Sequence, residues 1–464
     1  MKSFLCFLLI ACNTLYLSAQ VFEVEPIKVS GDIDKRINLV FMGDGYTALE
    51  LDKFITDATN FSNSLFSQSP FNEYSEYFNV YAIKVPSNES GTDHPGTATD
   101  VNEPVIDIAV VDTYFNTSFD TAGYHRLLYT YNAATIYNVL ADNLPEYDQP
   151  IIIVNSLEYG GSGGPYATSS TGTSGDEIII HEIGHSLFNL KDEYYPGDAL
   201  AAEAINMTQE INTNDVRWKN WIGTSGVGIY PYGTSGTEAT WNRPHQSCKM
   251  RYLGYPFCSV CKEGIVEKIH SLVSPIDAYT PNNNTVDNPT TFPLDFQLDL
   301  IKPNPNTLES EWTLNTIPFA SNVDALSVLE TDLVEGANAL TTVVHDNTPL
   351  LRVDNHDTFH VYSVTWAINY SSLGIDDIES EVNNFNISFY PNPAHSILNL
   401  KFESNTNSDL RVEIISLDGK KVKSARLSNY ENTQVDISNL SQGVYLTNFY
   451  SGNMLIASKR LVKN

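Results

Sequence analysis

Ile178-Ile179-Ile180-His181-Glu182-Ile183-Gly184-His185-Ser186-Leu187-Phe188-Asn189-Leu190-Lys191-Asp192-Glu193-Tyr194 places an HExxH pattern behind a run of isoleucines. On a helix the two histidines, at i and i+4, lie on one face about one turn apart. Two neutral imidazoles at that spacing can hold one zinc ion, and Glu182, beside the first, can reach a water on that ion and take its proton. HExxH also arises by chance on amphipathic helices that carry surface histidines. Here Ile178, Ile179, Ile180, Ile183, Leu187 and Phe188 would bury the helix, where unpaired polar side chains are costly. The stretch therefore reads as a metal-binding helix with Glu182 as general base and acid.

The third ligand follows from the end of the helix. In the pattern HExxHxxGxxH a glycine ends the helix and the third ligand comes three residues later. This chain has Phe188 and Lys191 at those two positions, so the pattern fails as written. Shifted by one residue it holds. Asn189 suits the left-handed turn that closes a helix, and three residues beyond it stands Asp192, a carboxylate that zinc accepts. The expected ligands are His181, His185 and Asp192, with Glu193 as the alternative to Asp192. The competing reading of these two acids is a solvated pair or a partner that orients a histidine.

The segment HEIGHSLFNLKDEY resembles the HExGHxxxxLxDEY signature of the IgA-peptidase-like zinc metallopeptidases. Asn38-Leu39-Val40-Phe41-Met42-Gly43-Asp44-Gly45-Tyr46, Tyr159-Gly160-Gly161-Ser162-Gly163-Gly164, Cys248-Lys249-Met250-Arg251 and Phe257-Cys258-Ser259-Val260-Cys261 are similar to the same family, over roughly residues 35 to 275. Where the family has glycine before the leucine, this chain has Asn189. The resemblance implies a peptidase with one catalytic zinc. The family name points to immunoglobulin, but the chemistry transfers more safely than the substrate.

With 464 residues the chain is too long for one ordinary core, and a net charge of −30 disfavours nucleic acid or an anionic membrane surface as partners. Residues 1–20 read as a signal peptide: Lys2, an apolar core from Phe4 to Ala11, and Ser18 and Ala19 before the cut. Leu9-Ile10-Ala11-Cys12 resembles a lipobox, but the apolar run resumes at Leu15, which suits the later cut. No other stretch is long and apolar enough to span a bilayer. Cleavage would remove Cys6 and Cys12 and leave Cys248, Cys258 and Cys261. In an exported protein these suggest one disulfide and one thiol. The alternative, less favoured in oxidising surroundings, is a structural zinc site of His245, Cys248, Cys258 and Cys261.

Upstream of the motif, Ile37 to Met42 reads as a buried strand, Leu49 to Phe66 has helical spacing, Phe78 to Val85 alternates as a strand, Tyr131 to Leu144 is helix-like, and Pro150 to Val154 is an apolar strand. Strands alternating with helices imply an α/β domain with the metal helix packed on a sheet. Asp44, between glycines, reads as a turn former. The glycines at 160–164 read equally as a loop or as a sheet edge offered to an extended peptide. Met250 is a candidate for the methionine beneath the metal, or an ordinary core residue. Tyr252, Tyr255 and His245 are candidates for stabilising an oxyanion.

From about residue 276 prolines punctuate short alternating segments such as Phe296-Gln297-Leu298-Asp299-Leu300, which predicts an immunoglobulin-like sandwich. His356, Asp357 and His360 read as solvated there. Residues 371–385 read as an acidic linker. Ile387-Ser388-Phe389-Tyr390-Pro391-Asn392-Pro393-Ala394, Leu417-Asp418-Gly419-Lys420, Asp436-Ile437-Ser438-Asn439-Leu440 and Gly443-Val444-Tyr445-Leu446 resemble the C-terminal sorting domain of type IX secretion substrates, which carries cargo across the outer membrane and is usually removed.

The expected architecture is thus multidomain: signal peptide (1–20), α/β zincin-like, metzincin-related catalytic domain (21–275), immunoglobulin-like β domain (276–370), acidic linker (371–385) and small β-sandwich sorting domain (386–464). The expected function is a secreted or cell-surface zinc-dependent endopeptidase whose partners are a protein or peptide substrate and the type IX secretion machinery. The alternative is a non-catalytic binding or adhesion protein on a degenerate zincin scaffold, against which the intact Glu182 argues.

Overall fold

Ile37–Asp44 is buried at every position, as a strand covered on both faces must be. It is β2 of a six-stranded sheet in a computed structural model that describes residues 21–195, 200–233, 239–371, 386–403, 410–427, 433–452 and 454–464. The signal peptide and nearly all of the acidic linker expected from the sequence lie outside the described residues.

In chain order the elements are β1 (Val24–Lys28), β2, α1 (Leu51–Phe66), β3 (Phe78–Ile83), α2 (Ala133–Asn143), β4 (Gln149–Val154), β5 (Gly161–Ser162), β6 (Ala167–Ser170), α3 (Gly175–Ser186) and α4 (Ser259–Leu272). The strand order is β1-β3-β2-β4-β6-β5. The β3-β2-β4-β6 ladder is parallel, while β1 and β5 run antiparallel at the two ends. Alternation along the central strands divides the core. Ile37, Leu39, Phe41, Ile151 and Ile153 face one side with Phe54 and Phe61 of α1, Ile179 and Ile183 of α3, and Val260 and Ile269 of α4. Val40, Met42, Ile152 and Val154 face the other side with Ile136, Val139 and Leu140 of α2. Burying both faces of a parallel sheet in this way gives a helix–sheet–helix sandwich. Helix α3, which carries the HExxH pattern, follows directly from β6, so the sheet sets its position.

Asp44 ends β2 with its carboxylate fully buried. It accepts the N–H groups of Phe115 and Thr117 at 2.8 and 2.9 Å and the hydroxyls of Thr117 and Thr113 at 2.6 and 3.0 Å. A carboxylate whose lone pairs are filled this way anchors a loop rather than doing proton chemistry.

The chain divides into two compact units. One comprises residues up to 284 with 293–329 and 339–367; the other comprises 285–292, 330–338 and 368–464. In the first unit Leu294–Leu300 lies between Ile276–Thr280 and Ala325–Val328, and Leu308–Leu314 lies between Ile317–Ser321 and residues 340–346. Trp312 and Trp366, both fully buried, stack at 5.8 Å, with Phe296 packed on Trp366. The same unit joins these strands to the α/β part through polar contacts. The carboxylate of Asp346 accepts Tyr74 Oη at 2.6 Å and pairs with His270 Nε2 at 2.9 Å, and Arg36 is bidentate to Asp277 at 3.0 Å. His356 and His360 are not solvated as expected. His356 Nε2 donates to the Asp346 carbonyl at 2.6 Å, and the His360 ring packs 5.5 Å from His270, because a short helical turn folds them back onto α4.

In the second unit Asn386–Tyr390, Ile397–Glu403 and Thr433–Asp436 form one sheet, and Lys421–Leu427, Leu410–Ser416, Gly443–Ser451 and Met454–Lys463 form another. Leu398, Leu400, Val412, Ile414, Phe449 and Leu461 fill the core between them. No helix among the described residues is long and apolar enough to cross a membrane.

Candidate metal centre

Helix α3 ends by the turn that the sequence suggested. Asn189 has φ 56°, Asn189 N–H donates to the His185 carbonyl at 3.1 Å, and Leu190 N–H reaches back to the Gly184 carbonyl at 2.9 Å. The bond from left-handed Asn189 to the carbonyl four residues back is the αL closure of a helix. It turns the chain so that Asp192 comes back over the helix face that carries the histidines.

There three atoms converge. Asp192 Oδ1 lies 3.1 Å from Nε2 of His181 and 3.1 Å from Nε2 of His185, and the two Nε2 atoms are 3.2 Å apart. Donor atoms about 2.0–2.1 Å from a tetrahedral ion stand roughly 3.3 Å from one another, so this triangle fits a zinc-sized cation. The outer nitrogens are held as such a site requires: His181 Nδ1 donates to the Lys249 carbonyl at 3.0 Å and His185 Nδ1 to the Leu190 carbonyl at 2.7 Å. Each ring is thereby fixed with Nε2 toward the common point. Burial alone would raise the Asp192 carboxyl, but the two imidazoles hold it well below the usual carboxylate range.

Glu182 brings a carboxylate oxygen within 4.8 Å of the histidine ligand atoms. Burial raises its pKa, against the opposing pull of His181 and His185. Its oxygen packs so closely on Gly163 that a Cβ there would lie 2.2 Å from Oε2. The glycine segment is therefore a close-approach element at α3. At Gly161 it is flanked on both sides, by β6 and by Leu127. These groups line a cleft of about 1840 Å³ whose walls include Arg126, Tyr194, Tyr195 and Tyr252.

Met250 is fully buried beneath α3, where a Cβ on Gly184, the residue before His185, would meet its sulfur at 2.9 Å. Its carbonyl accepts Glu193 N–H at 2.7 Å. Lys249 pairs with Glu177 of α3, which also accepts Gly254 N–H at 2.7 Å, so the turn is tied to the helix at several points.

Of the expected oxyanion groups, Tyr252 lines the cleft, while His245 is engaged elsewhere, with Nε2 donating to the Ser225 carbonyl at 3.1 Å and Nδ1 accepting Ser247 N–H at 2.9 Å. Tyr194, which the sequence reading passed over although it closes the motif, lies with its ring 6.4 Å from that of His181. Burial and the nearby Asp192 and Glu182 carboxylates push its phenol up.

Glu193 faces away from the histidines. Its Oε1 accepts Cys261 Sγ at 3.2 Å and Asn206 Nδ2 at 3.2 Å, inside a buried group with Cys248 and Cys258. The less favoured alternative, a cysteine site with His245 as fourth member, is corrected in that member: Glu193 stands beside the three cysteines instead, because the turn after Asn189 sends successive side chains to opposite sides. The expected disulfide is not formed either. All three cysteines are thiols, and Cys248 and Cys261 sulfurs stand 3.6 Å apart, far beyond the ~2.05 Å of an S–S bond.

Residues 25–232 match the family described as IgA Peptidase M64, and residues 388–464 match the Secretion system C-terminal sorting domain. The first segment is thus similar to a peptidase domain and the second to a secretion signal. The match over residues 388–464 indicates secretion to the cell surface or the extracellular space. Met250 and the cysteines lie beyond the matched peptidase segment.

No curated protein matches the chain. Solved structures that resemble parts of it include dimeric latent PorU from Porphyromonas gingivalis (12% identity, 40% of this chain and 20% of that chain, TM-score 0.15). Others are the Bacteroides ovatus mixed-linkage glucan utilization locus protein SGBP-B (13%, 39% and 42%, TM-score 0.14) and the Clostridium thermocellum CbhA fibronectin(III)-like modules (12%, 39% and 88%, TM-score 0.13). The chain spans 20% of the length of PorU and 42% of that of SGBP-B, and scores this low define no shared fold.

Proposed function

We propose that this protein is a secreted zinc endopeptidase with a zincin-like catalytic domain, followed by an immunoglobulin-like domain and a type IX sorting domain. The observation that carries the reading is the triangle of His181 Nε2, His185 Nε2 and Asp192 Oδ1, with edges of 3.1–3.2 Å, beside the buried carboxylate of Glu182. A zinc ion held by those residues would polarise the scissile carbonyl and acidify a water. Glu182, its proton affinity raised by burial, takes a proton from the attacking water and delivers it to the leaving amine. Tyr194 is the group we assign to hydrogen-bond the developing oxyanion. The cleft, of about 1840 Å³, is lined in part by Gly163 and Gly164 and would receive a polypeptide substrate.

We also infer a structural zinc at Cys248, Cys258, Cys261 and Glu193. Tetrahedral thiolate ligands at ~2.3 Å from zinc stand about 3.8 Å apart, near the 3.6 Å between Cys248 and Cys261. Oε2 of Glu193 is buried with no protein partner, which a cation would supply. Digestion of a random peptide library with and without a chelator tests the enzymatic reading. Cleavage that stops on chelation and returns with zinc is expected; a protein that cleaves nothing but binds a ligand would support the adhesion alternative.

A further inference from the structure

From Lys84 to Asn132 the chain forms no α-helix and no strand of the sheet, only a single 3-10 turn at Thr121–Gly123. So long a stretch without regular structure is uncommon inside a compact domain and calls for another source of order. Asp44 anchors one point of it, at Thr113–Thr117. A second ordering point lies in a cluster formed entirely by the segment itself.

We propose that His94, Glu103, Asp120 and His125 bind a structural divalent cation, zinc by donor type, which clips this segment and fixes the adjoining rim of the cleft. His125 Nδ1 lies 3.1 Å from Glu103 Oε1, 3.2 Å from Asp120 Oδ1 and 3.3 Å from His94 Nε2. His94 Nε2 lies 3.6 Å from Asp120 Oδ1 and 4.0 Å from Glu103 Oε2. One ring nitrogen can donate a single proton and so satisfies at most one of three neighbours. A cation at the common point satisfies all of them, and these separations bracket the roughly 3.3 Å between nitrogen and oxygen ligands of tetrahedral zinc. The two imidazoles disfavour calcium or magnesium, which take oxygen ligands.

Two further observations point the same way. His94 is 1% exposed, and its Nδ1 has no partner, so only what Nε2 meets can fix the ring. His125 Nε2 lies 3.3 Å from Glu158 Oε1, the carboxylate–histidine pairing that orients a metal ligand from its outer side. Asp120 in turn is positioned by Thr97 N–H on its other oxygen at 2.8 Å. Closing a long loop with a metal removes conformational freedom from the unfolded chain, the function expected of a clip here. The clip reaches the cleft: the carbonyl of Arg126, next to His125, accepts Gly161 N–H of β5 at 3.1 Å, and Arg126 and Leu127 line the cleft.

The test uses the full-length chain carrying Glu182→Gln, to prevent self-digestion, equilibrated with zinc and dialysed. Plasma mass spectrometry should find one zinc fewer per chain after His94→Gln with His125→Asn. His181→Ala with His185→Ala should lose a different one, so that the combined variant loses two. Full retention of the parent's zinc by the His94/His125 variant would overturn the proposal. Should that variant not fold, the His181→Ala/His185→Ala chain serves alone. After a chelator has removed all its zinc, peptides covering 93–125 should lose hydrogen-exchange protection and regain it on adding zinc. Protection unchanged by complete removal of zinc would equally overturn the proposal.

Discussion

The backbone carbonyl of Lys249 accepts the Nδ1 hydrogen of His181 at 3.0 Å, across 68 residues of sequence. The orientation of the first histidine of HExxH therefore depends on a turn that lies far outside the motif. That turn is in turn held to α3 by the pairing of Lys249 with Glu177.

Glu177 gives this link a pH dependence. Burial would raise its carboxyl, but the Lys249 ammonium and the N–H of Gly254 outweigh that and lower it. A carboxyl lowered on folding stabilises above its unfolded pKa, near 4.5, and that contribution disappears as pH falls through the folded value. Glu177→Gln should cost on the order of 1–3 kcal/mol at pH 7, as for a charged hydrogen-bonded pair, and progressively less below pH ~4.5. Urea unfolding of both proteins across this range measures it; a penalty independent of pH would contradict the assignment.

Local geometry explains what could be read from the sequence. The helix, its left-handed end at Asn189 and the return of Asp192 depend on neighbours within a few residues, and their spacing shows in the letters. Apolar runs likewise marked β2 and β4, and alternation marked β3 and residues 296–300. Met250 was a candidate from the sequence, but the pairing of Lys249 with Glu177 did not show, because these two meet only through tertiary packing. Glu193 and Asp192 are adjacent acids, and only the path of the turn decides which faces the histidines and which faces the thiols. His94, Glu103, Asp120 and His125 sit in a stretch with no periodicity, so nothing in their spacing announced that they converge.

Asp192→Ala removes the third vertex of the triangle and should lower metal affinity by at least the 10–100-fold typical of even an outer partner. Metal content after dialysis against a weak chelator, compared with the parent chain, reads this out. Stoichiometric retention would show that Asp192 is not a ligand.

Gly163→Ala places a Cβ 2.2 Å from Glu182 Oε2 and must displace one of them. Turnover should fall by about 10²-fold or more, as when a reacting group is moved by around 1 Å, while the metal stays bound. Parallel measurement of kcat and metal content separates this from simple unfolding; unchanged kcat would show that Glu182 need not hold its present place.

The second unit predicts processing. Since residues 388–464 match a sorting domain, the mature protein recovered from its native host should end near 371–385. Mass spectrometry of that protein should miss Leu461-Val462-Lys463-Asn464. Their presence on most exported molecules would mark the tail as a retained functional domain.

Glu182→Gln tests the central claim most directly, because it removes the base and leaves the three metal-facing atoms in place. Metal content and peptide hydrolysis are measured on the same preparation. We expect the catalytic metal to be retained in full and hydrolysis to fall by at least 10²–10⁴-fold, the contribution of a positioned general base. Hydrolysis at the parent rate with the metal bound would contradict the mechanism.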